Sequence, residues 1–140
     1  MAIKVEKKDK NKNILMFEYQ VLNSLKGKLL PHLQVTCANL GLKHVPYAYD
    51  FVHNSEQNLI VMDLMAINLA KARRCLEQNY NFRIAILILA EMLVAIREVH
   101  ERGFIHRDVK ASNFVLCRES RKIYIVDFGL AKRHLDQVTK

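Results

Sequence analysis

The stretch Ile105 to Asn113, I-H-R-D-V-K-A-S-N, sets a carboxylate (Asp108), an ammonium (Lys110) and an amide (Asn113) within six positions. Apolar segments flank it, one ending near Val99 and the other being Phe114-Val115-Leu116. So many unlike polar groups between apolar walls suit a catalytic loop better than a plain turn. Phosphoryl transfer needs this set: a carboxylate to orient an attacking hydroxyl and take its proton, a cation near the phosphate in flight, and an amide oxygen for Mg²⁺. A second anchor, Asp127-Phe128-Gly129, begins fourteen residues after Asn113. A carboxylate closing a buried strand, followed by a glycine that permits a sharp backbone change, can present oxygen to a metal. Taken alone, this tripeptide reads as a structural turn.

The elements around these residues follow from periodicity. Ala2 to Glu6 alternates as a short strand. Lys7 to Asn13 is a lysine-rich, solvated linker without interleaved aromatics. Asn13 is placed to cap a helix to about Lys26, with Gly27 as its stop. Ile14, Phe17, Val21, Leu22 and Leu25 have helical spacing, and Glu18 lies at the edge of that face, where its carboxylate could reach a neighbouring strand. Pro31, Gly41 and Pro46 punctuate loops. Tyr47 to Val52 and Leu59 to Met62 predict a hairpin about Asn54 to Asn58, with Tyr47, Tyr49 and Phe51 as a packed face. Asp63-Leu64-Met65 then leads to a helix from about Asn68 to Glu77. Asn81 caps the next helix, Phe82 to Arg102, which ends at Gly103 and is roughly 30 Å long. Its apolar run Ile84 to Ile96 is too short for a bilayer, contains Glu91, and reads as a buried helix with neighbours on several sides. Phe114 to Cys117 and Ile123 to Val126 predict a second hairpin across Arg118 to Lys122. The fold class expected is α+β.

Composition narrows the partners. The 140 residues are 51% hydrophobic, enough for a core and against a disordered tail. A net charge of +8 favours an acidic partner, such as a nucleotide or phosphopeptide, although a solvated basic surface is the plainer reading. Nucleic-acid binding would rest on that charge alone. The three cysteines, Cys37, Cys75 and Cys117, form no C-x-x-C pair, so neither a disulfide framework nor a zinc site is indicated. No signal peptide or membrane span is legible, and an intracellular, chiefly cytoplasmic setting is expected.

The spacing H-R-D-x-K-x-x-N, followed by D-F-G across a hairpin, resembles the protein-kinase signature. Ala2-Ile3-Lys4 looks like the end of the family's V-A-I-K strand, and Glu18 like its helix partner. H-R-D-V-K-A-S-N-F and I-V-D-F-G-L-A-K resemble the casein kinase 1 group, closest to its tau-tubulin-kinase-like branch; A-I-K-V-E and V-M-D-L-M are in the same style. The resemblance implies a partial two-lobe kinase fold. Residues 1–62 would be an N-terminal lobe, 63–65 the hinge, and 66–140 part of a C-terminal lobe. It implies a serine/threonine protein kinase using ATP and Mg²⁺. Asp108 would accept the hydroxyl proton, and Lys110 would neutralise phosphoryl charge. Asn113 and Asp127 would hold the metal, and Lys4, oriented by Glu18, the nucleotide phosphates. Met62 would guard the adenine pocket, with Asp63, Leu64 and Met65 meeting the adenine through their backbone. His106 would pack near Phe128. Arg107 would brace an activation segment and so has no assigned partner within this chain.

The sequence also departs from the family pattern. Only Gly27, Gly41, Gly103 and Gly129 occur, so no glycine-rich phosphate cover can be present, and Ala111 stands where kinases often have proline. A kinase fragment, truncated product or incomplete gene model is therefore expected, and isolated residues 1–140 are expected to aggregate. A catalytically silent, pseudokinase-like binding module is the rival reading. Protein substrates that are acidic or already phosphorylated fit both the group and the basic charge. Residues selecting them would lie mostly beyond Lys140.

Overall fold

The structure is a computed structural model and describes residues 1–8, 13–26, 42–75, 81–117 and 120–134. The expected stop at Gly27, the loop residues Pro31 and Gly41, the helix end at Glu77 and Arg118 of the second turn lie outside the described residues.

The first half is a small antiparallel sheet with one helix. Strands β1 (Ala2–Lys7), β2 (Ala48–His53) and β3 (Gln57–Met62) are ordered β1-β3-β2. The register puts Lys4 opposite Ile60 and Glu6 opposite Asn58. Asn54 closes the β2–β3 turn by accepting from the N–H groups of Glu56 and Gln57 at 2.9 and 2.8 Å. Helix α1 (Ile14–Leu25) lies against this sheet.

Two expectations about α1 need correction. Its buried face is Leu15, Glu18, Val21, Leu22 and Leu25, while Ile14 and Phe17 are exposed. The helix is turned by roughly 40°, less than half of the ~100° between successive residues, so that Glu18 and not Phe17 lies within the buried face. Nor does Asn13 cap it, for its side chain makes no cap hydrogen bond. Both carboxylate oxygens of Glu6 on β1 accept from Leu15 N–H at 3.3 Å instead. A charged acceptor arriving from a neighbouring strand has displaced the local one. Alternation along β2 also fails. A bulge between Ala48 and Asp50 turns Tyr49 outward, leaving Phe51 to stack on Tyr19 at 5.3 Å.

The second half holds β4 (Ile67–Asn68), α2 (Leu69–Cys75), α3 (Phe82–Glu101), β5 (Phe104–Ile105), β6 (Phe114–Leu116), β7 (Ile123–Ile125) and β8 (Lys132–Arg133). Its sheets are β4-β6-β7 and β5-β8. Asn81 caps α3 by accepting from Arg83 N–H at 2.9 Å. The α+β expectation therefore holds. Helix α3 is not a buried helix, however: only Ala95 and Val99 are buried, while Phe82, Leu87 and Leu93 are 73%, 66% and 67% exposed. Among the described residues, neighbours cover only one side of it. No described helix is long and apolar enough to cross a membrane.

One core joins the halves, running from Leu22 and Leu25 through Val45 and Ile60 to Val99, Phe114, Ile125 and Phe128. Polar ties reinforce it. The buried His44 ring has Nδ1 2.9 Å from Glu98 Oε1 and Nε2 3.1 Å from Glu91 Oε2. The other Glu98 oxygen accepts from the N–H groups of Lys43 and His44 at 3.0 and 3.1 Å. His44 O accepts from Ile125 N–H at 2.8 Å. Arg102, just past α3, donates to Leu25 O at 3.1 Å and so meets a last-turn carbonyl of α1. These contacts seat α1 and its sheet on the second half.

Candidate active site

Strand alternation puts Lys4 on the inner side of β1, and the roll of α1 buries Glu18 to 1% exposure. Lys4 Nζ lies 2.7 Å from Glu18 Oε2 and 3.2 Å from Asp127 Oδ1. Three elements thus meet at one ammonium. Burial pulls the Lys4 amine down, but the charges of Glu18 and Asp127 outweigh it, leaving its pKa above that of an ordinary lysine. Burial pushes the Glu18 carboxyl up, with the Asp127 charge adding to this, and Lys4 offsets only part.

Asp127 follows β7 in the left-handed region at φ 69° and ψ 71°. A residue with a Cβ costs roughly 1–2 kcal/mol there, and aspartate is among the few that visit it. Burial of Phe128 holds the turn in place, with the His106 ring edge-on to it at 4.9 Å. Gly129 is required for packing: a Cβ there would come within 2.7 Å of Ile14 Cγ2 on α1.

The loop after β5 is tied to this turn from several directions. His106 Nε2 lies 2.9 Å from Val126 O, and Asp108 N–H lies 3.3 Å from His106 Nδ1. A carbonyl can only accept, so Nε2 carries the hydrogen and Nδ1 is the acceptor. Burial lowers the His106 pKa, in keeping with this neutral tautomer. Val126 N–H donates to Asn113 O at 2.9 Å. Arg107, itself at φ 65°, donates through Nε to Leu130 O at 2.6 Å. The expectation that Arg107 lacks a partner is thereby corrected, because the chain returns beside the loop immediately after Gly129.

Within the loop, Asn113 Nδ2 donates to Asp108 O at 2.9 Å and to Asp108 Oδ2 at 2.8 Å. Lys110 Nζ is 2.7 Å from the same Oδ2. These bonds, that of Lys110 foremost, hold the Asp108 carboxyl below the usual carboxylate range. With its nitrogen committed, Asn113 keeps Oδ1 as its remaining acceptor. Carboxylate and amide oxygens of this kind suit Mg²⁺, which takes oxygen donors.

Asp63, Leu64 and Met65 border a separate cavity of about 630 Å³, lined also by Tyr49, Cys117 and Tyr124. Met62, at the end of β3 opposite Ala2, is not in its lining, nor are the charged residues around Lys4. The Asp63 carboxylate is committed to Tyr47 N–H and Tyr49 O–H, both at 2.7 Å. Asp63 N–H donates to Tyr47 O and Ala66 N–H to Leu116 O. Between them, among the described residues, the N–H groups of Leu64 and Met65 donate to no protein acceptor. Glu6 and His44 are assigned no role by the motifs that mark the site in the sequence. A carboxylate two positions beyond Lys4, hence on the same strand face, was the available signal for the first. Nothing in the local pattern marks the second.

Comparison with known proteins agrees with this geometry. The protein kinase domain family matches residues 1–139. A probable serine/threonine-protein kinase of Dictyostelium discoideum is 34% identical over 139 residues, covering 95% of this chain and 25% of that protein. The chain spans about a quarter of the length of that curated relative. With a family match over nearly its whole length, and with Lys4, Glu18 and Asp127 drawn to one point, the chain belongs to the protein kinase domain family.

Proposed function

We propose that this chain is part of a serine/threonine protein kinase that moves the γ-phosphoryl group of ATP to protein hydroxyls. The observation that carries the reading is the convergence of Lys4, Glu18 and Asp127 beside a loop that holds Asp108, Lys110 and Asn113. In this reading residues 1–62 act as the upper lobe, 63–65 as the hinge and 66–140 as part of the lower lobe. Lys4 receives the nucleotide phosphates, and Glu18 holds its ammonium in place. The open N–H groups of Leu64 and Met65 offer hydrogen bonds to adenine, and Asp63 fixes the hinge against β2. Met62 closes the back of the adenine site. Asn113 Oδ1 and the Asp127 carboxylate would hold Mg²⁺, which when bound neutralises phosphate charge and orients the phosphoryl group.

Asp108 orients the acceptor hydroxyl and takes its proton as the new P–O bond forms and the bond to the departing nucleotide breaks. Its lowered pKa keeps it ionised and able to accept that proton. Lys110 balances charge on the phosphoryl oxygens. The motifs around Asp108 and Asp127 favour the casein kinase 1 group and its tau-tubulin-kinase-like branch. With the net charge of +8, they favour acidic or already phosphorylated protein substrates. Three widely spaced cysteines with no C-x-x-C pattern support action inside the cell, chiefly in the cytoplasm.

The test uses the full-length protein with radiolabelled ATP and an acidic serine peptide. Transfer should fall about 10²- to 10⁴-fold in Asp108→Asn, the usual loss for a positioned general base. Lys4→Met should abolish transfer and weaken ATP binding. Undiminished transfer in either variant refutes the assigned roles. ATP binding without any transfer in the unmutated protein identifies a silent binding module instead.

A further inference from the structure

Glu6 stands two residues beyond Lys4 on the same face of β1, about 7 Å along the strand. Its carboxylate accepts from Leu15 N–H with both oxygens at 3.3 Å. Leu15 lies three residues, nearly one turn, before Glu18. The strand and helix are therefore joined twice, once by Glu6 and Leu15 and once by Lys4 and Glu18. A single tie through a flexible lysine arm constrains the first turn of α1 less than two ties do, since the core and Arg102 hold mainly its later turns. A second tie one turn away fixes both roll and height.

Glu6 has no local competitor for this task. The first turn of α1 contains no acidic residue, and Asn13 supplies no cap. An anionic group at a helix N-terminus satisfies an orphan N–H and complements the positive end of the dipole. The carboxylate is itself held, because Asn58, 3% exposed and directly across in β3, donates Nδ2 to Glu6 Oε2 at 3.2 Å. The apolar spacing of Ile14, Phe17, Val21, Leu22 and Leu25 would by itself leave Glu18 toward the edge of the face and not at its centre. The same first turn carries Ile14, which lies against Gly129 beside Asp127.

We propose that Glu6 is a positioning residue that locks the first turn of α1 to β1, so that Glu18 meets Lys4 and Ile14 backs the Asp127-Phe128-Gly129 turn. The functional weight of this role rests on Lys4 being the anchor for nucleotide phosphates. The geometric claim does not.

The experiment measures ATP binding by calorimetry in the full chain, alongside hydrogen–deuterium exchange of the first turn of α1. In Glu6→Ala the Leu15 N–H loses its acceptor and Glu18 is less well placed for Lys4, so exchange rises and ATP binding weakens. The expected change is about fivefold in each, the equilibrium equivalent of one lost N-cap. Glu6→Gln keeps an acceptor oxygen and should recover most of both effects. In a Glu18→Ala background, Glu6→Ala should weaken ATP binding no further. Should Glu6→Ala fail to fold, Glu6→Asp, its carboxylate drawn back by one methylene, carries the same comparison. The role is overturned by unchanged exchange in Glu6→Ala, or by an equal weakening of ATP binding with and without Glu18. If exchange responds as expected but the unmutated protein binds no ATP, the positioning role stands and the nucleotide reading falls.

Discussion

At the scale of single residues, His106 shows how one neutral ring can order a loop. Its Nε2 hydrogen serves Val126 O, its Nδ1 receives Asp108 N–H, and its edge meets Phe128. Protonation of Nδ1 would remove the acceptor facing Asp108. The folded pKa lies below the ordinary 6.5, with burial as the main cause. The unfolded chain therefore binds the proton more readily. Stability from this group is complete above the unfolded pKa and is lost as pH falls through the folded value. Thermal melts between pH 7 and pH 4 should show a decline of at most ~1.4 kcal/mol per pH unit from this one proton. His106→Leu should flatten that part of the curve at some cost in overall stability. A curve identical in slope to that of the unmutated protein would remove His106 from the explanation.

At the scale of elements, α1 is placed by contacts from three sides. Glu6 and Lys4 engage it from β1, Arg102 reaches its last turn from beyond α3, and Gly129 admits Ile14. A methyl group at Gly129 must displace Ile14, whose β-branched side chain has few rotamers to retreat into. Gly129→Ala should therefore cost about 1–3 kcal/mol, the usual range for overpacking. It should also depress ATP-dependent transfer by shifting α1 or Asp127. Ile14→Ala, combined with it, should restore much of both. Additive losses in the double variant would show that the two side chains do not share the space. The clasp of His44 by Glu91 and Glu98 belongs to the same scale, because it seats the segment entering β2 on α3.

At the scale of the whole molecule, α3 is the conspicuous surface. Phe82, Leu87, Leu89 and Leu93 are each more than half exposed, and this much apolar surface in water on one helix promotes association. Residues 1–140 alone should self-associate at micromolar concentration and bind a hydrophobic dye. The combined change Leu87→Lys and Leu93→Glu should reduce both without altering the far-ultraviolet spectrum. A monodisperse, dye-silent preparation of the unmodified chain, judged by sedimentation velocity, would contradict this.

Much of the site was legible because its parts are local. The loop from Ile105 to Asn113, the later Asp127-Phe128-Gly129, a strand bearing Lys4 and a helix bearing Glu18 all follow from residue type, spacing and period. So does the capping of α3 by Asn81. Only the tertiary structure decided the roll of α1, its cap from Glu6, the partner of Arg107 and the left-handed backbone at Asp127. It also decided that α3 leaves most of its apolar surface uncovered among the described residues. The reason is one of range. Periodicity records what a segment prefers against a generic neighbour, whereas a bond between Lys4 and Asp127, 123 positions apart, depends on which surfaces the folded chain actually brings together.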